Sequence, residues 1–247
     1  MLYIFLMLIT KYYSPNYNLK PRSIKSITFI IIHYTGMQSK RESIKRLTNI
    51  KSKVSCHYLI DRKGKIIRLV ADNRIAWHAG KSKWGKYNNL NSKSIGIELE
   101  NKGHKIKYEN FTNKQIRSLT KLLKKLKNKF KINRNKILGH SDIAPIRKID
   151  PGEKFPWGKL SKNGLALNYP KYLKKIKKGN LDRKSIYRIF FKNLYILGYR
   201  YFSPKKLKFS KSEIKIIKAF QRRFFNRKID GKINQKMLEI SGFLAKS

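Results

Sequence analysis

The segment GHSDIAPIRKIDPGEKFPW, residues 139–157, concentrates reactive side chains in a chain that is otherwise rich in lysine. It places an imidazole at His140, a cation at Lys148 and a carboxylate at Asp150 on one loop punctuated by proline and glycine. Imidazole and carboxylate groups are common protein ligands of divalent metal ions. We interpret the segment as one half of a metal site, whose other half must come from far upstream.

Two apolar segments that end in histidine predict the strands that lead into this site. ITFIIIH, residues 27–33, is nearly continuously apolar, which is typical of a central strand buried on both faces. KILGH, residues 136–140, predicts a second strand, and one sheet can bring the ends of both strands together. Taken alone, His33 is more readily explained as a hydrogen-bonded histidine at a strand end than as a ligand.

The segment SIGIELE, residues 94–100, alternates between apolar and polar positions. Its isoleucines and leucine lie on one face of a predicted strand, and Gly96, Glu98 and Glu100 lie on the other. The polar face could be a solvated outer surface. The short apolar strand and the Asn-Lys-Gly that follows it favour a central strand that leads into a cleft.

The other patterns between residues 41 and 130 predict the rest of an α/β domain. A short helix is expected at 41–48, and a hairpin at 54–60 and 66–70 around the turn at 61–64. The capping box at 112–115 opens an amphipathic helix that ends near Phe130 and covers the sheet. The expected fold is a mixed central sheet flanked by helices.

Residues 182–247 differ in character from the rest and predict a small all-α domain. The apolar spacing indicates three helices: one closed by Gly198, one opened by the capping box at 210–213, and one capped by Asn234. Residues 166–181 have the charge and the Gly, Asn and Pro content of a linker.

The net charge of this 247-residue chain is extreme, with 60 Lys and Arg against 13 Asp and Glu, formally +47. Such charge could serve nucleic-acid binding or attraction to an anionic glycan or lipid surface. Lysines replace surface residues everywhere rather than along one stripe, which favours compositional drift. No base-reading motif is visible, so we expect no specific nucleic-acid partner.

The single cysteine, Cys56, excludes an intrachain disulfide and a cysteine-based zinc knuckle. Neighbouring side chains of an extended segment point to opposite faces, so a pair with His57 is disfavoured and a buried thiol is expected.

Residues 1–13 begin with an apolar run of ten, MLYIFLMLIT, which is shorter than the roughly twenty residues that span a bilayer. The run lacks a basic n-region and a small-residue cleavage site. We interpret it as a degenerate export signal or a tail in peripheral contact with a membrane. The expected location is the cell envelope or periplasm, with the cytoplasm as the alternative.

From spacing alone, His33, His140 and Asp150 could form a three-ligand zinc site with a fourth position open. Glu98 could act as general base, and Lys148 could stabilise an oxyanion. Two histidines separated by more than a hundred residues are, by themselves, a weak signal.

A resemblance strengthens this hypothesis. The segments IIIHYTG, VSCHYLIDRKGKI, RIAWHAG, NSKSIGIELEN and GHSDIAPIRKIDPGEKFPW occur in the order found in the zinc-dependent N-acetylmuramoyl-L-alanine amidases, a match that covers residues 14–165. The resemblance implies one Zn²⁺ per chain held by His33, His140 and Asp150, with Glu98 and Lys148 as catalytic residues. His57 and His78 fall within the motifs without a metal role; His78 could line a groove or be exposed.

The tail segments LGY, AFQRRF and KIDGKINQKML resemble the small helical peptidoglycan-binding domain of secreted amidases. Asn234 and Lys236 depart from that pattern. The combined resemblance implies hydrolysis of the bond between N-acetylmuramic acid and L-alanine, with peptidoglycan or muropeptides as partners. The alternative is a protein that binds peptidoglycan without cleaving it. The form of the muramic acid, the length of the stem peptide and the oligomeric state stay open.

Overall fold

The structure, a computed structural model, describes residues 12–170, residue 173 and residues 182–247. The strands are β1 (Tyr17–Asn18), β2 (Phe29–Tyr34), β3 (Tyr58–Ile60), β4 (Ile66–Arg68), β5 (Ile75–Ala76), β6 (Lys83–Trp84), β7 (Tyr87–Asn88), β8 (Ser94–Leu99) and β9 (Ile137–Gly139). The α-helices are α1 (Lys40–Thr48), α2 (Asn113–Phe130), α3 (His140–Ile143), α4 (Trp157–Ser161), α5 (Arg183–Leu197), α6 (Lys211–Phe224) and α7 (Gln235–Ala245).

Five strands form the central sheet in the order β4-β3-β8-β2-β9. Strand β8 pairs in parallel with β2 and with β3, whereas β3 and β4 form the antiparallel hairpin expected around residues 61–64. The sheet is therefore mixed. In β2 every residue from Phe29 to His33 is buried, which confirms the predicted central strand. Strand β8 has a neighbour on each side and is largely buried, as expected of a central strand.

The predicted capping box begins α2. The Thr112 hydroxyl accepts from the backbone amide of Gln115 at 3.1 Å, and the Gln115 side chain accepts from the Thr112 amide at 3.0 Å. The Gln115 amide group also donates to the carbonyl of Glu100 at 2.9 Å, which joins the helix to the end of β8. The apolar stripe of the helix is buried, and its lysines occupy the opposite face.

The described residues fall into two compact units. The first contains the chain up to Gly80 and Leu90–Leu138; the second contains Lys81–Asn89 and Gly139–Ser247. In the first unit, the residues of the sheet pack with α1 through a buried cluster that consists of Leu47, Cys56, Leu59, Ile67 and Leu69. Burial raises the pKa of the Cys56 thiol well above its ordinary value, as expected of a structural cysteine.

In the second unit the hairpin β6–β7 accompanies α3 to α7. The three predicted tail helices are present as α5, α6 and α7, with Gly198 at the end of α5, Ser210 and Glu213 forming a capping box, and Asn234 capping α7. Aromatic rings fill their core, and the Phe190 and Phe220 rings meet edge to face with centroids 5.1 Å apart.

Two expectations fall largely on residues outside this description: the N-terminal tail, at residues 1–11, and the linker, at 171–172 and 174–181. The domain boundaries stay a prediction. Neither between residues 12 and 170 nor between 182 and 247 does a helix combine the length and hydrophobicity needed to cross a bilayer.

Candidate metal centre

His33 lies beside Glu98 on the central sheet. The two residues are Cα partners on the parallel strands β2 and β8, and paired residues of neighbouring strands direct their side chains to the same face. His33 is 1 % exposed, and Glu98 is half-buried. An imidazole and a carboxylate thus stand on adjacent strands, an arrangement suited to proton transfer next to a candidate metal ligand.

His78 supports His33 from the same side of the sheet. Its Nδ1 lies 3.0 Å from the His33 Nε2, and its Nε2 lies 3.2 Å from the Ser94 hydroxyl. The ring lies over Gly96, where a Cβ would approach the imidazole to 2.4 Å. Glycine is therefore required at 96 to make room for the ring. His78 is 9 % exposed, so the alternative of an exposed His78 is wrong.

His57 is a second supporting histidine, and it stays neutral. Its Nδ1 accepts from the Gly96 amide at 3.0 Å, and its Nε2 lies 2.9 Å from the Arg22 guanidinium. Burial and the charge of Arg22 lower the pKa of His57 to about 3. Burial also lowers the pKa of Arg22 to about 10, which leaves the guanidinium charged at neutral pH. Arg22 further donates to the backbone carbonyls of Asp72, Asn91 and Ser94.

His140 and Asp150 belong to one short segment that follows β9. The His140 Nδ1 lies 3.1 Å from the Asp150 Oδ2, and the Ser141 amide donates to the Asp150 carbonyl at 2.9 Å. His140 is 2 % exposed and Asp150 is 7 % exposed. The segment therefore folds back on itself, so that two residues ten positions apart present their side chains together.

The two cations of this segment differ in their contacts. Arg147 donates twice to the carbonyl of Lys81, at 3.0 and 2.8 Å, and its Nη2 lies 3.3 Å from the His140 Nε2. Lys148, the residue chosen from the sequence, is half-buried, and its backbone amide donates to the carbonyl of Ala144 at 3.0 Å. The contact of Arg147 with His140 was not expected from the sequence.

His33, His140 and Asp150 are all buried and each offers a ligand atom, with these atoms within 4.8 Å of one another. Two nitrogens and one carboxylate oxygen are a donor set found in catalytic zinc sites, which leave a fourth position open. Bonds of about 2.0–2.1 Å in tetrahedral geometry place ligand atoms about 3.3 Å apart. The His140–Asp150 distance of 3.1 Å fits that spacing. The three side chains could hold a divalent metal ion.

Residues 23–153 match a protein-family model described as N-acetylmuramoyl-L-alanine amidase. The chain is 39 % identical over 152 residues to the N-acetylmuramoyl-L-alanine amidase AmiD of Escherichia coli, an alignment that covers 57 % of this chain and 54 % of AmiD. It is 32 % identical over 162 residues to the 1,6-anhydro-N-acetylmuramyl-L-alanine amidase AmpD of Haemophilus influenzae, covering 58 % of this chain and 85 % of AmpD. The match thus spans about half the length of AmiD.

Two solved structures resemble the whole chain more fully. AmiD of E. coli, in complex with the substrate anhydro-N-acetylmuramic acid-L-Ala-D-gamma-Glu-L-Lys, has a TM-score of 0.76 and 29 % identity, and covers 93 % of this chain and 91 % of its own. AmpDh3 of Pseudomonas aeruginosa, in complex with anhydromuramic pentapeptide, has a TM-score of 0.79 and 28 % identity, with coverages of 96 % and 97 %. The similarity therefore extends to the C-terminal helices.

Proposed function

The chain belongs to the N-acetylmuramoyl-L-alanine amidase family, and we propose that it hydrolyses the amide between N-acetylmuramic acid and L-alanine in peptidoglycan or its fragments. The observation that carries the proposal is the buried group of His33, His140 and Asp150. Glu98 stands in register with His33 on the neighbouring strand. A three-ligand metal group next to a carboxylate has the parts that metal-assisted amide hydrolysis needs.

Zinc is the metal that we propose for this group, one ion per chain. His33, His140 and Asp150 would hold it. The donor set of two imidazoles and one carboxylate supports zinc over magnesium or calcium, which prefer oxygen ligands alone. When bound, zinc would act as a Lewis acid towards the scissile carbonyl and lower the pKa of a water molecule to about 7.

Glu98 and Lys148 have complementary roles in this proposal. Glu98 accepts a proton from the attacking water and returns it to the leaving amine of L-alanine, as one carboxylate can do in successive steps. The Lys148 ammonium stabilises the negative charge that develops on the carbonyl oxygen. Both residues are half-buried, which leaves them partly accessible to substrate.

Anhydromuropeptides are the fragments that we propose as substrates. AmiD and AmpDh3 resemble this chain over more than nine tenths of its length, and their structures hold an anhydromuramic tripeptide and an anhydromuramic pentapeptide. Such fragments arise when cell wall is turned over, so the activity would serve turnover or recycling. We further propose that the C-terminal helices form a peptidoglycan-binding-like domain and that the protein acts in the cell envelope.

The proposal is tested by incubating the purified protein with anhydromuramic pentapeptide and with sacculi, and by detecting released peptides by mass spectrometry. Release should depend on zinc and should stop with a chelator. We expect Glu98→Gln to lower kcat about 100- to 10,000-fold, because a general base contributes that much. Glu100→Gln is the matched control: Glu100 follows Glu98 by two residues, just past the end of β8, and this variant should hydrolyse the substrate at a near-normal rate.

A non-catalytic peptidoglycan-binding protein is the competing function. In that case neither substrate yields free peptide with zinc present, while the protein still sediments with sacculi. If Glu98→Gln and Glu100→Gln lower kcat equally, the result would argue against Glu98 as the general base but not against amidase activity.

A further inference from the structure

We propose that the C-terminal helices position the metal-ligand segment, residues 139–150, and that Tyr199 and Arg223 do so by holding Asp142. The inference rests on the proposed function, because it assigns supporting residues to the same metal site. It gives the tail a role in the metal site that is separate from any affinity for glycan.

Among the residues that the structure describes, three donate to Asp142, and two of these belong to the tail. Its Oδ1 accepts from the Tyr199 hydroxyl at 2.7 Å, and its Oδ2 accepts from the Arg223 guanidinium and from the Gly139 backbone amide, the latter at 2.7 Å. Asp142 and Tyr199 are 1 % and 0 % exposed, and the Arg223 side chain is 3 % exposed. A carboxylate this deeply buried needs such donors, since an unpaired buried charge is costly.

Asp142 connects these tail residues to the backbone on either side of His140. Gly139 immediately precedes His140, and its amide is held by the Asp142 carboxylate. Ser141, the residue between His140 and Asp142, donates its amide to the carbonyl of Asp150. A Cβ at Gly139 would come within 2.8 Å of the Pro151 ring. The two ends of the segment are thus packed together at the point where Asp142 is anchored.

Tyr199 and Arg223 are themselves fixed by neighbours in the same compact unit. The Tyr199 ring meets the Trp84 indole edge to face with centroids 4.9 Å apart, and burial and the Asp142 carboxylate raise the pKa of Tyr199, so its hydroxyl stays a donor. The Arg223 guanidinium lies 4.0 Å from the Trp157 ring. Aromatic contacts therefore help to hold both donors in place beside the carboxylate.

A second connection runs from the tail to the His140 ring. The Tyr201 hydroxyl donates to the carbonyl of Lys81 at 3.2 Å, and Arg147 donates to the same carbonyl. Arg147 in turn lies 3.3 Å from the His140 Nε2. Tyr199 and Arg223 therefore support the backbone before His140, and Tyr201 supports the outer side of its ring through Lys81. Groups that orient a metal ligand are commonly worth 10- to 100-fold in metal affinity.

The test compares three variants of the full chain: Tyr199→Phe, Arg223→Met and the control Tyr187→Phe. Tyr187 is also a buried tyrosine of the tail that donates to a carboxylate, Glu213, at 3.1 Å, but that carboxylate is not in the ligand segment. Zinc affinity is measured by competition with a chromophoric chelator. We expect it to be about 10- to 100-fold weaker in Tyr199→Phe and Arg223→Met, and within twofold of the unchanged chain in Tyr187→Phe.

Hydrogen exchange of the metal-free protein supplies a readout that does not depend on metal or activity. The amides of Gly139 and Ser141 should exchange faster in Tyr199→Phe than in Tyr187→Phe. Arg223→Lys, which keeps a charged donor, should recover part of the zinc affinity that Arg223→Met loses. If Arg223→Met does not fold, Tyr199→Phe alone tests the inference, since this substitution removes one hydroxyl and keeps the ring.

The inference is wrong if Tyr199→Phe folds, binds zinc as tightly as Tyr187→Phe and shows unchanged exchange at Gly139 and Ser141. Its failure is distinct from failure of the amidase proposal. An unchanged chain that binds zinc but releases no peptide contradicts the amidase and leaves the affinity comparison valid. If the unchanged chain releases peptide while all three variants bind zinc equally tightly, the positioning role alone is contradicted.

Discussion

The surroundings of His33 and those of His140 with Asp150 show two ways of holding a proposed metal ligand. His33 lies on a strand whose backbone is bonded to neighbours on both sides, and its side chain meets His78, which lies near the neutral His57. The segment of His140 and Asp150 contains a single helical turn, α3. Its carboxylate Asp142 accepts hydrogen bonds from Tyr199 and Arg223, which follow it in the chain by 57 and 81 positions.

The difference shows what each kind of backbone requires. A strand inside a sheet is placed by its ladder of hydrogen bonds and by apolar burial, so a ligand there needs only an orienting contact. A loop has no such ladder, and its position depends on side-chain donors that reach it from elsewhere. We expect the two regions to respond differently when their contacts are removed.

The largest effect should follow removal of one ligand from each region, with His33→Ala and Asp150→Ala. Each should weaken zinc binding by more than about 100-fold, beyond the loss expected for a supporting residue. In the metal-free protein, only Asp150→Ala should speed hydrogen exchange of amides between 139 and 150, because Asp150 also contacts His140. Chelator competition measures the zinc affinity, and mass spectrometry measures the hydrogen exchange. Faster exchange along β2 in His33→Ala would contradict the idea that the strand is held by its ladder.

A smaller effect should come from His78, the orienting contact of His33. His78→Ala removes the Nδ1 that lies 3.0 Å from His33 and should weaken zinc binding about 10- to 100-fold. His78→Asn places an amide nitrogen near the same position and should recover much of that loss. The measurement is the zinc affinity of His78→Ala and His78→Asn. If Asn is no better than Ala, the histidine acts by filling space rather than by orienting His33.

The smallest effect should be a pH dependence of the free energy of unfolding that arises from His57 in the first compact unit. The folded-state pKa of His57 is about 3, below the ordinary value of about 6.5, so the unfolded chain binds the proton more tightly. Stability contributed by neutral His57 is complete above about pH 6.5 and falls by about 1.4 kcal/mol per pH unit as the pH drops towards 3. Urea unfolding at pH 7, 6 and 5 measures the slope, and His57→Gln should reduce it. An unchanged slope in His57→Gln would assign the dependence to groups other than His57.

Much of the fold was predictable because its signals are local. The apolar run before His33, the alternation at 94–100, and the capping boxes at 112–115 and 210–213 each predict an element that the structure contains. Of the candidate site, His33, His140 and Asp150 come together as a buried group, and Glu98 lies in register with His33. The roles of Glu98 and Lys148 stay predictions.

The residues that were missed make contacts across long stretches of chain. The bond of His78 to His33 spans 45 residues, and no periodic pattern marks it. Gly96 was the one available signal, since a glycine inside a strand often marks a close approach. Arg147 was adjacent to the chosen Lys148, and sequence cannot tell which of two neighbouring cations turns towards a ring.

By itself, the sequence determined the elements and the chemical types at the site, because hydrophobic periodicity and capping depend on residues within a few positions of one another. Only the tertiary structure decided that His57 stays uncharged, that His78 contacts His33, and that Tyr199 and Arg223 donate to Asp142. Those properties depend on burial and on hydrogen bonds between distant residues. Both exist only after the chain has folded and water has been excluded from the groups concerned.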